Sequence, residues 1–163
     1  MGTLLLWQRN LSEKTISRHA VNGWKTRLLF ATILVVIGAI FYVWIILWLV
    51  PRLHLSELFI SGITLVFICQ VVVGIVSDTS GVSHKVHAMA AWTMSVLYIP
   101  LGFILVFASQ ISLKERIVAE ILLAVMVFFA AMSVAVGKRQ SRLYFQTSYI
   151  VTFQLLILTV AYL

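Results

Sequence analysis

Residues 28–50 read LLFATILVVIGAIFYVWIILWLV, a run without a charge. An α-helix needs about 20 apolar residues to cross the roughly 30 Å hydrocarbon core of a bilayer. Inside that core the backbone must satisfy its own hydrogen bonds, so only helices and closed barrels span it. This run does not alternate with period two, which excludes a barrel strand and leaves a membrane helix. Trp44 and Trp48 lie near its far end, where interfacial aromatics gather, and Pro51 is expected to stop it.

Four further runs qualify by the same measure: 58–76, 86–107, 117–136 and 144–163. The second ends at Ser77-Asp78-Thr79-Ser80-Gly81, a turn composition. Short connections make neighbours in sequence antiparallel neighbours in space. The expected fold is all-α: one polytopic membrane bundle of about five transmembrane helices over residues 27–163, preceded by a short segment, 1–26.

Composition agrees. Of 163 residues 62% are apolar and 10% charged, against roughly 45–50% and about 25% in soluble domains. Mean hydropathy is +1.07. Only lipid can solvate that much apolar surface. The balance of 12 Lys+Arg against 5 Asp+Glu would suit nucleic acid in a soluble protein. Here it marks membrane loops beside anionic lipid, and nucleic acid is not an expected partner. The single cysteine, Cys69, permits no internal disulfide.

The basic residues also orient the chain. One side of the membrane takes Arg9, Lys14, Arg18, Lys25, Arg27, Lys85, Lys138, Arg139 and Arg142; the other takes Arg52, Lys114 and Arg116. Nine against three predicts a cytoplasmic N-terminus and an extracytoplasmic C-terminus. The first residues do not read as a secretory signal, because Leu4-Leu5-Leu6-Trp7 precedes the charges. Leu6 stands where a myristoylation site needs Ser or Thr. Asn10 with Glu13 resembles a capping box, Ile16, Ala20 and Trp24 recur at helical spacing, and Asn22-Gly23 is expected to end the helix. That pattern predicts an amphipathic helix lying on the cytoplasmic leaflet.

Polar groups within a span are costly and normally face the bundle interior. On the second span Gly62, Val66, Gln70, Gly74 and Asp78 recur every four residues, a stripe suited to close helix approach. The third carries His84, His87, Ala88, Ala91, Ser95, Tyr98 and Gly102, with Pro100 expected to kink it. A tight loop would bring the two stripes together, placing Ser77 and Asp78 beside His84 and His87, with Gln70 and Ser95 deeper. Glu120 lies about a turn inside the fourth span, and Gln146, Ser148, Tyr149, Thr152 and Gln154 mark the fifth. Gln154, near mid-membrane, is expected to bond another helix of the bundle.

This cluster of Gln70, Ser77, Asp78, His84, His87 and Ser95 supports three chemistries. As a polar site it would bind lipid, a small hydrophobic ligand or a membrane partner, another subunit or a second copy included. Alternatively, Asp78, His84 and His87 share a face and would ligate zinc, with His19 as a further candidate. Ser77 beside such an ion would suit a metal-dependent hydrolase of lipid head groups. The kink and the polar face are also compatible with a small transporter or channel subunit. Haem b wants axial histidines on different helices, whereas His84 and His87 share one and His54 lies across the membrane. No span holds a lysine for a retinal Schiff base, and no phosphate loop, nucleophile elbow or cysteine relay is present. The balance favours a protein that is not an enzyme and holds no cofactor.

A span, the Ser77-Asp78 turn and His87-Ala88 opening the next span together resemble the bacterial and archaeal membrane family known as domain of unknown function 998, grouped with the damage-regulated autophagy modulator-like proteins. The resemblance covers residues 57–163 and extends to Arg142-Leu143-Tyr144-Phe145-Gln146 at the last span. It implies a prokaryotic cytoplasmic membrane and a helical bundle, without a reaction. The family has six spans, and often an acidic residue beside the arginine. This chain shows five spans and no such residue, one span fewer than the family pattern.

Overall fold

The structure is a computed structural model that describes residues 24–76, 81–136 and 139–163. Residues 1–23 of the proposed amphipathic segment, with His19, and the Ser77-Asp78 turn fall outside them. Five helices long and apolar enough to cross a membrane form an all-α bundle, with no strand among the described residues. They are α1 (Trp24–Trp44), α2 (Glu57–Ile75), α3 (Gly81–Val106), α4 (Leu113–Ala135) and α5 (Arg139–Tyr162). Their composition makes the chain an integral membrane protein.

Local chemistry explains the boundaries. Ser56 caps α2, its hydroxyl accepting from the Phe59 N–H at 3.4 Å, with Glu57 in the first turn. Ser112 and Glu115 form a full capping box at α4: the Ser112 hydroxyl accepts from Glu115 N–H at 3.2 Å, and the Glu115 carboxylate accepts from Ser112 N–H.

Pro51 does not end the first span. A π-helical turn at Ile45–Leu49 follows α1, and an α-turn over Val50–Leu53 then completes the crossing. Proline lacks an N–H and its ring collides with the carbonyl four residues back. Widening the preceding turn, with Val50 N–H bonded to the Ile45 carbonyl, accommodates the ring. The helix stops instead at His54, whose left-handed φ of 48° turns the following Leu55 N–H back to the Val50 carbonyl at 3.1 Å, while the His54 N–H donates to the Pro51 carbonyl at 3.4 Å.

The bundle has two unlike ends. One, here the far end, holds the loops after Leu53 and Val106 and the C-terminus; the other, the basic end, holds Lys25 and Lys85. The largest fully buried side chains are Phe59, Ile45, Leu49, Leu105, Val106, Leu156, Ile157, Val160 and Met126. All lie toward the far end except Met126, which sits near the middle of α4. A ladder of stacked rings seals that end: Trp44 on Trp48 at 5.3 Å and Trp48 on Tyr162 at 5.3 Å, joining the first crossing to the last. The Arg52 guanidinium lies 4.8 Å from the Trp48 ring centroid.

Candidate functional site

The two polar stripes are built into the bundle, but they do not face each other along their length. Residues four apart on a helix advance about 40° around its axis, so the stripe from Gly62 to Gly74 turns through about 120°. Its two ends therefore meet different neighbours. At Gly62 a Cβ would meet Leu101 of α3 at 2.9 Å. At Gly74 it would meet Val35 and Leu34 of α1, at 3.4 and 3.6 Å. Between them the Gln70 amide N–H donates to the Leu34 carbonyl of α1 at 2.9 Å. Gly38 makes room, since a Cβ there would lie 2.9 Å from the Gln70 Cδ.

The α3 stripe turns the other way, toward the last two helices. The Tyr149 hydroxyl on α5 donates to the Ser95 carbonyl, while the Ser95 hydroxyl donates to Ala91 O at 2.8 Å. Tyr98 packs against Phe153 and Tyr149, with ring centroids 4.3 and 5.8 Å away. Gly102 admits Leu123 and Met126 of α4. The expected pairing of Gln70 with Ser95 is therefore replaced: Gln70 serves α1, and Ser95 serves α5.

One contact does clasp α2 to α3 near their turn. His87 is buried, and its Nδ1 lies 2.8 Å from the Val76 carbonyl. A carbonyl cannot donate, so Nδ1 carries the proton, and in the neutral ring Nε2 is the basic nitrogen. His84, one turn nearer the helix start, is exposed. The two histidines thus sit in different surroundings on one helix end. Asp78, the third proposed metal ligand, and Ser77 lie outside the described residues, and among the described residues no three His, Cys, Asp or Glu side chains gather as a metal set. His54 stands exposed at the far end.

Two features were not anticipated. Tyr42 bonds Thr64 at 2.9 Å and stacks on Phe67, tying α1 to α2, although nothing in the order of residues singles Tyr42 out from other aromatics in the span. Gln154 points outward. It is exposed and makes no side-chain hydrogen bond with any described residue, so the expected bond to another helix of the bundle is not formed. Periodicity could have shown this. Tyr149, Thr152, Phe153, Leu156, Ile157 and Val160 mark the buried face of α5, and Gln154 lies on the other side.

No family model matches the chain, and no curated protein or solved structure matches it either.

Proposed function

We propose that this chain is a non-catalytic membrane protein that works by binding another protein's helix within the bilayer. The observation that carries this reading is the outward amide of Gln154. It stands ten residues from Tyr144 and eight from Tyr162, the ends of the fifth span. At 1.5 Å per residue it is more than about 10 Å from either interface. An amide at that depth cannot snorkel, and lipid tails offer it no hydrogen bond.

The other outward polar groups are less demanding. Thr32 and Ser61 are exposed hydroxyls of a kind that bonds carbonyls of its own helix. Glu120 is exposed only four residues, about 6 Å along the helix, from the charged Lys114-Glu115-Arg116 turn that opens α4, and Gln146 is exposed two residues from the start of its span. Gln70, Ser95 and His87 are meanwhile engaged inside the bundle, which leaves Gln154, among the described residues of the spans, as the group that asks for a partner. A second reading is anionic lipid at the basic end, where Lys25, His84 and Lys85 are exposed together with much apolar surface.

Native nanodiscs, cut directly from membranes without detergent, test the first reading. Their protein mass is expected to exceed the 18.3 kDa of one chain. A single-chain mass, with Gln154→Leu leaving mass unchanged and raising thermal stability, would assign this face to lipid.

A further inference from the structure

Resting on that reading, we infer that the partner is a second copy of this chain, docked α5 against α5 across a two-fold axis normal to the membrane. All copies share one orientation in the bilayer, so a closed pair must have its axis along the membrane normal. The two α5 helices then run parallel, and each residue meets its own counterpart at the same depth. Gln154 faces Gln154.

A glutamine amide is self-complementary: its NH2 donates while its carbonyl accepts. Two such amides across the axis exchange hydrogen bonds with no other group required. Any unlike partner would need its own donor and acceptor at this depth, whereas a second copy supplies both by symmetry.

The surrounding residues form a seam. Thr147, Val151, Gln154 and Leu158 are all exposed and follow one another at intervals of four, three and four. That is the heptad spacing along which two parallel helices interlock at a shallow crossing angle. Val151 and Leu158 flank the amide about a turn away on either side, with 45% and 43% of their surfaces exposed. A lone polar residue in such an apolar seam sets register.

Cross-linking tests this in native membranes. The native thiol, Cys69, is buried and is replaced in the background Cys69→Ala. Val151→Cys and Leu158→Cys are introduced singly, with Phe103→Cys on α3 as an exposed control away from the seam. Mild oxidation should give a species of twice the chain mass from positions 151 and 158 and little from 103. Adding Gln154→Leu should lower the doubled species roughly three- to thirtyfold, the range spanned by interhelical hydrogen bonds in membranes. The melting of the unlinked bundle should not change, which separates lost docking from lost folding.

If 151 and 158 give no doubled species, or link only to a chain of different mass, the second copy is wrong. Nanodiscs heavier than one chain would then preserve the broader partner reading, and single-chain nanodiscs would remove both.

Discussion

Toward the loops after Leu53 and Val106 the helices bury Ile45, Leu49, Phe59, Leu105, Leu156 and Ile157 completely, under a ladder of stacked rings. Toward the turn after Val76 no apolar side chain of that size is completely buried among the described residues, Tyr149 at 4% exposure coming nearest. Polar contacts tie the helices there instead: Gln70 to Leu34 O, His87 to Val76 O and Tyr149 to Ser95 O. Lipid tails are as apolar as leucine, so burial alone gives membrane helices little drive to associate. The far end gains from close interdigitation and dispersion across many atoms. The basic end depends on a few directional bonds, each separable by one substitution. It is the half in which local opening should occur first.

The largest effect should come from the far end. Phe59→Ala removes a fully buried ring and leaves a cavity. Soluble cores lose about 3–5 kcal/mol from such a change; with lipid rather than water as the competing solvent, about 2–4 kcal/mol is expected here. Reversible unfolding in mixed micelles measures it. A loss below about 1 kcal/mol would mean that interdigitation at this end is not what holds the helices together.

A smaller effect is expected where α1 meets α2. Gln70→Ala removes the bond to Leu34 O and should cost about 0.5–1.5 kcal/mol by the same measurement. Gly38→Ala should cost a similar amount by driving the Gln70 amide from its place. Once residue 70 is alanine, the added methyl at 38 has room. The double variant should therefore lose less than the two single losses combined, and strict additivity would show that Gly38 and Gln70 act independently.

These contrasts also mark how far the sequence could be read. Five apolar runs announce five helices because bilayer thickness sets a length that few soluble helices match. The π turn before Pro51 was hidden, since proline's usual effect is to end a helix and only the widened turn lets this one continue. The His87 clasp was partly legible: the short turn places α3's first residues beside α2's end, although the acceptor is the Val76 carbonyl, a group every residue carries. Gln70 and Ser95 were identified as polar points of contact but assigned the wrong neighbours. A four-residue repeat looks straight on paper and winds around a real helix. Gln154 was misjudged for another reason. Polar residues in spans usually face inward, and that general tendency outweighed the local pattern of buried residues around it.

The smallest expected effect, and the most specific, belongs to the His87 clasp. The bond uses Nδ1, the ring nitrogen nearer the backbone. An asparagine amide nitrogen occupies nearly that position, whereas a glutamine amide reaches toward that of Nε2. His87→Asn should therefore keep the bond to Val76 O, while His87→Gln should lose it at a cost of about 0.5–1.5 kcal/mol. Hydrogen exchange is the sensitive measurement, because the turn between α2 and α3 can open without the rest of the bundle. Backbone amides at the end of α2 and the start of α3 should exchange several-fold faster in His87→Gln than in His87→Asn, with the far end unchanged in both. Equal acceleration in the two variants would mean that burial of the ring, rather than its Nδ1 bond, secures this turn. Acceleration that spread to Phe59 and Leu105 would show that the two ends open together, and the division between them would fail.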